Sequence, residues 1–204
     1  MHDQPAQRAS FSEEVVAWLR SDEPKTLGAM NHRFAENGFA VNIMMLMLLP
    51  ALPLPTGGVT HVFELITVLL AGQMAIGRRT VWLPARWERR ELGSLTTDRA
   101  VPVVARWIGR VERISRPRAS WLFEHATAMR LLGLVLMIFA VAAAVAPPFS
   151  GLDTLPSLGA VAVSLSIVLR DALVLVIGLI LGAAGIALIL TLGTAIFHLV
   201  GGFL

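Results

Sequence analysis

His61 and Glu64 stand three residues apart in a stretch almost free of other charge. On a helix that spacing puts both side chains on one face. An imidazole beside a carboxylate can hold or pass a proton. A carboxylate in a membrane segment is costly and usually faces a cavity or a partner. Two readings are open. The pair lies on a proton or cation path, or both residues sit near a helix end among headgroups and water.

Two Pro/Gly-rich breaks carry the next candidate residues. One contains Thr56, Gly57 and Gly58, and the other contains Ser150, Gly151, Asp153 and Thr154. Each stands just before an apolar run. A helix start presents unpaired N–H groups and the positive end of the helix dipole, so it can hold an anion such as a lipid phosphate or a sugar phosphate. The same residues are also what a plain turn demands. The remaining charges near the apolar runs read as structural. Glu36 can pair with Arg33 or Arg130, and Arg130 can snorkel toward headgroups. Arg170 and Asp171 read as a cytoplasmic turn with a local ion pair.

Other chemistry has no signature here. The chain has no cysteine, which excludes disulfides, a thiolate nucleophile and Cys-ligated metal. There is no nucleotide-binding loop, no Gly-x-Ser-x-Gly and no His-x-x-x-His. The five histidines are scattered. The reading is therefore a non-enzyme without cofactor or metal.

The elements that must position these residues follow from hydropathy. Of 204 residues, 55% are hydrophobic and 15% charged, with a mean hydropathy of +0.70. Charge nearly vanishes over 38–76 and 126–204, and about 20 apolar residues suffice to span a bilayer. The expected fold is an all-α integral membrane protein. Residues 1–33 form a cytoplasmic helical arm, in which Phe11, Val15, Trp18 and Leu19 share a face and Ser10 with Glu13 fits a capping box. Pro24 ends that helix and a second starts near Thr26. Residues 34–76 form a first membrane hairpin, its short arm 38–50 broken by Pro50, Pro53 and Pro55. Residues 126–204 form a second hairpin and a C-terminal membrane helix over 172–200, either one tilted helix or two pieces hinged near Gly182 and Gly185.

Between them, 77–125 holds eleven Arg, five acids and four of the five tryptophans. Arg marks the cytoplasmic side and Trp the headgroup zone. Val101, Val104, Trp107, Ile108, Val111 and Ile114 form an apolar stripe opposite Arg99, Arg106, Arg110 and Arg113. This predicts a helix over 99–116 lying flat on the membrane. Anionic lipid, not nucleic acid, is the expected partner of so much Arg interleaved with Trp. A shift of 94 residues superposes Pro53 on Pro147, Thr56 on Ser150, Gly57 on Gly151 and Thr60 on Thr154, which suggests an internal repeat of the kind found in small transporters. With a cytoplasmic middle, the repeats should be parallel about an axis along the membrane normal. They are inverted instead if a short arm fails to cross.

Three ordered motifs resemble one family. They are Arg33-Phe34-Ala35-Glu36-Asn37-Gly38-Phe39-Ala40, then Pro50-Ala51-Leu52-Pro53-Leu54-Pro55, then Gly77-Arg78-Arg79 with Trp82-Leu83-Pro84. Over about residues 10–200 the chain resembles the ExoD family of bacterial membrane proteins. That resemblance implies a link to surface polysaccharide production and tolerance of alkaline conditions, without implying a reaction. The expectation is a small inner-membrane transporter or ion-coupled permease supporting exopolysaccharide production or pH homeostasis, paired as a homodimer to bury its polar tips. The alternative is a non-transporting accessory protein that binds lipid or the synthesis machinery.

Overall fold

A computed structural model describes residues 11–34, 37–52, 59–89, 109–113, 115–116, 118–147 and 150–201. Within these the chain is helical, with no strand. Thr56, Gly57, Gly58 and Glu36 lie outside the described residues, as does most of the flat helix expected over 99–116; 109–113 is helical.

Of the expected arm, 1–10 with the Ser10 cap lie outside the described residues. Helix α1 (Phe11–Arg20) buries Val15 and Trp18 and stops short of Pro24. Helix α2 (Leu27–Arg33) starts at Thr26, whose hydroxyl accepts from the Ala29 N–H at 3.2 Å. Trp18 meets Phe34 edge-on, ring centroids 6.2 Å apart, and α2 packs on α3 and on the short α5 (Ala85–Glu88).

The apolar helices are α3 (Gly38–Met47), α4 (Val59–Ala75), α7 (Ala126–Val145), α8 (Thr154–Leu169) and α9 (Ala172–Gly201), with the short α6 (Ser120–Glu124) leading into α7. Two of them, Ala126–Val145 and Ala172–Leu192, are long and apolar enough to cross a membrane. Only 33% and 28% of their apolar windows are buried. A core helix of a water-soluble protein would be mostly buried. Here Leu131, Leu134, Ile138, Val141 and Val145 on α7 and Val176, Ile180 and Leu190 on α9 lie exposed, an arrangement suited to lipid. Helix α3 is the opposite case. Its ten residues reach about 15 Å, half of a ~30 Å hydrocarbon layer, and all but Phe39 are buried.

The main contacts close a ring: α3 packs on α4 and α8, and α7 packs on α4 and α8. Helix α9 lies outside, mainly against α8. Glycine sets the approach. A Cβ on Gly133 of α7 would stand 2.6 Å from the Ala75 nitrogen and 3.0 Å from the Ala71 oxygen. The end of α4 thus meets the beginning of α7, and the two run antiparallel. Along α8 and α9, Gly159 abuts Gly182 and Gly178 abuts the Val163 backbone. The possible hinge near Gly182 and Gly185 is therefore absent: α9 is one helix, and these glycines are places where its backbone touches α8 and Phe139.

The turn between α8 and α9 fastens the Arg-rich segment. Arg170 takes a left-handed conformation, φ 53°. The Asp171 carboxylate is buried and accepts from Ser115 Oγ at 2.8 Å, the Arg116 N–H at 3.1 Å and the Leu173 N–H at 2.9 Å, with Arg118 at 3.6 Å. Arg170 pairs with Glu124 at 3.5 Å. The expected Arg170–Asp171 pair is thus replaced by two longer-range ones, because the left-handed turn sends the neighbouring side chains to different partners. Burial raises the Asp171 carboxyl, but the Leu173, Ser115 and Arg116 hydrogen bonds and the Arg118 charge outweigh it and hold it below the usual carboxylate value.

Two predictions follow from this packing. Gly133→Val should force α4 and α7 apart and lower stability by about 1–3 kcal/mol, read as a drop in Tm of the purified protein in detergent. Gly72→Ala, whose new methyl would meet only Met137 Sδ at 3.7 Å, should leave Tm unchanged or slightly raised. A carboxyl held low in the folded state stabilises above the unfolded value of about 3.9 and loses that contribution as pH falls through the folded value. Wild-type Tm should therefore drop below about pH 4. Asp171→Asn should flatten that part of the curve and cost about 1.5–3 kcal/mol at neutral pH.

Candidate functional site

Helix α4 begins after a run of prolines and glycines, and its first two turns carry Thr60, His61 and Glu64. His61 Nδ1 lies 2.6 Å from Glu64 Oε2, so the three-residue spacing makes the contact that it allows. Glu64 is fully buried, while the His61 side chain is 30% exposed. The pair thus joins a sealed carboxylate to an imidazole that reaches the surface. Glu64 Oε1 has no protein partner among the described residues.

Asp153 stands immediately before α8, at the other Pro/Gly break, within electrostatic reach of both His61 and Glu64. The start of α4 and the start of α8 therefore lie at the same end of the bundle. The three groups do not converge closely enough to ligate a metal ion together. Ser150 and Gly151 serve the turn itself. Ser150 Oγ donates to the Pro147 carbonyl at 2.6 Å and accepts from the Leu152 N–H at 3.2 Å, and Gly151 has φ +69°. Thr154 opens α8, its N–H donating to the Gly151 carbonyl at 3.3 Å. At the start of α8 the anion reading reserves a place for a ligand, and Asp153 puts a carboxylate there.

Sequence reasoning missed the polar groups deeper in the bundle. Thr67 Oγ1, Ser157 Oγ, Ser164 Oγ and Asn42 Oδ1 are buried without a protein partner among the described residues. A signal was present. Thr60, Glu64 and Thr67 recur at i, i+4, i+7, and Ser157 and Ser164 are seven apart, so each set lies on one face of an apolar helix. Leaving such a group unsatisfied costs about 1–3 kcal/mol. Five unsatisfied atoms lie within α3, α4 and α8, counting Glu64 Oε1, so this apolar bundle buries polar groups on three of its helices.

At the opposite end, the first turn of α3, the end of α4, the start of α7 and the end of α8 surround a cavity of about 320 Å³. Arg130 is found there, lying against Gly77. Arg33 pairs with Glu23 at 3.6 Å; the expected partnership of Glu36 lies outside the described residues.

Comparison with known proteins gives the chain its relatives. A Rhizobium meliloti protein named ExoD is 30% identical over 176 residues, which cover 84% of this chain and 72% of that protein. An uncharacterized Synechocystis protein is 28% identical over 123 residues, 60% of this chain and 57% of that one. No solved structure matches. The family model described as "Exopolysaccharide synthesis, ExoD" matches residues 12–191. A match over so much of the length shows that the chain belongs to the ExoD family of exopolysaccharide-synthesis proteins.

Proposed function

We propose that this protein is a multi-pass transporter of the bacterial inner membrane, coupled to protons through His61 and Glu64 and supporting exopolysaccharide production or pH homeostasis. The observation that carries this reading is a fully buried carboxylate with one oxygen unpaired among the described residues, with further unpaired buried polar atoms on α3, α4 and α8. A buried acid in a membrane bundle that lacks partners on one oxygen is poised to gain and lose a proton or a cation. His61 supplies the surface contact through which a proton would enter.

The ring of contacts supports two equivalent hairpins. A pseudo-twofold along the bundle exchanges α3 with α7 and α4 with α8. It then exchanges the α3–α8 contact with α7–α4, and α3–α4 with α7–α8, which are the contacts seen. The four helix ends around the cavity support hairpins that enter from one side as parallel repeats. The Arg-rich 77–125 joins them on that side, which the positive-inside rule makes cytoplasmic. Anionic lipid on that face, pairing with a second copy and contact with the polysaccharide-synthesis machinery complete the reading.

A non-transporting accessory role is favoured by a different observation. Ile138, Val141 and Val145 of α7 and Ile186, Ile189 and Leu190 of α9 line an outer apolar groove of about 340 Å³. A lipid chain or a partner helix would fit such a groove.

Proton flux separates the two. In proteoliposomes with an imposed pH gradient, the wild-type protein should dissipate the gradient faster than protein-free vesicles. Glu64→Gln should bring the rate close to the protein-free level with unchanged Tm, and His61→Ala should slow it at least about tenfold, within the range ordinarily supplied by one proton-transfer group. Wild-type vesicles as tight as empty ones would leave the accessory role standing.

A further inference from the structure

Three arginines line the cavity at the end of the bundle remote from Glu64. Arg78 and Arg79 follow the end of α4, and Arg130 projects from the second turn of α7. None of them has a carboxylate within ion-pair distance among the described residues. Arg33, Arg118 and Arg170, by contrast, pair with Glu23, Asp171 and Glu124. Arg130 lies against Gly77, whose φ is +86°; a Cβ there would stand 2.6 Å from Arg130 Nε, so a side chain at 77 would displace the guanidinium from the end of α4. The cavity also takes in Gly38, at the start of α3. Asn37 gives that helix no side-chain cap, and Asn37 to Ala40, its first turn, line the cavity.

Apolar side chains close the rest. Phe39, Met74, Met129 and Ile167 form the wall on the bundle side. The volume of about 320 Å³ is at the small end of ligand pockets, which run roughly 300–1,000 Å³. Planar guanidinium groups and backbone N–H donors together match the several oxygens of a phosphate better than the two of a carboxylate. The apolar wall suits a group attached to a hydrocarbon as well as a free ion. We propose that this cavity is a phosphate-binding site formed by Arg78, Arg79, Arg130 and the start of α3. It takes a phosphate monoester or diester, carried by a lipid headgroup or free in the cytoplasm. The proposal does not depend on proton transport, because no residue is common to the two sites.

The test uses the full-length protein in nanodiscs. Tm is measured in phosphatidylcholine alone, in phosphatidylcholine with phosphatidic acid, and in phosphatidylcholine with inorganic phosphate at constant ionic strength. Phosphatidic acid should raise Tm and be retained through washing. A parallel rise with inorganic phosphate identifies the free anion as sufficient, and its absence identifies a lipid headgroup. Arg78→Gln/Arg79→Gln should weaken the ligand effect at least about tenfold, since each charge-assisted hydrogen bond is worth about that factor, with Tm in phosphatidylcholine unchanged. Arg86→Gln/Arg89→Gln removes two basic residues outside the cavity and should leave the effect intact. Should the first double variant fail to insert, Arg79→Gln alone is read in the same way. No response to either phosphate source, an unaltered response in the Arg78/Arg79 variant, or an equal loss in the Arg86/Arg89 variant would overturn the proposal.

Discussion

Lipid tails are as apolar as leucine, so helices in a bilayer gain little by burying Leu against Leu and must hold together by fit. In this chain the fit is made by glycine. Gly133 brings the α7 backbone onto the last turn of α4, and Gly159, Gly178 and Gly182 bring α9 onto α8. At each of these points a methyl group would collide with backbone or with a packed ring, and backbone cannot swing aside. The seams therefore fix both the direction and the register of the helices. Large apolar side chains such as Leu131 and Ile180 are left free to face outward.

That close approach is what brings polar groups together inside an apolar bundle. Antiparallel packing of α4 on α7 sets the beginning of α4 level with the end of α7, so the two Pro/Gly breaks share one end. His61 and Glu64 belong to the first break and Asp153 to the second. The same register gathers the opposite helix ends around the cavity that holds Arg78, Arg79 and Arg130. One packing constraint thus yields an acidic end and a basic end, with the hydroxyls of Thr67, Ser157 and Ser164 buried in the bundle.

Much of this was readable in the sequence, for physical reasons that can be named. Thr26 announces α2 because only a few side chains can cap a helix start. The length and apolarity of 126–145 announce α7 because few other elements tolerate such a run. The His61–Glu64 contact followed from helical spacing alone. Asp171 was not readable in the same way: its partners Ser115, Arg116 and Arg118 lie more than fifty residues back, and no local pattern links them. The glycines of α9 were ambiguous because glycine serves both to break a helix and to let another approach it. Only the presence of α8 alongside decides between the two. Thr67, Ser157 and Ser164 were overlooked because a lone hydroxyl in an apolar helix is unremarkable until its neighbours on the same face are seen to be buried and polar as well.

The shared end of the two breaks is the claim from which the others follow, and spin-label distances test it directly. The chain lacks cysteine, so two introduced cysteines carry the labels without background. Leu65 on α4 and Val141 and Leu131 on α7 are all exposed. With α4 antiparallel to α7, and Gly133 level with 71–75, position 65 lies near the height of 141 and about 15 Å along the bundle from 131, at ~1.5 Å per residue. Pulsed electron resonance on Leu65→Cys/Val141→Cys and Leu65→Cys/Leu131→Cys in lipid should give the shorter distance for 65–141. A shorter distance for 65–131 would mean that the two helices run parallel, that the breaks lie at opposite ends, and that Glu64 and Asp153 never share a site.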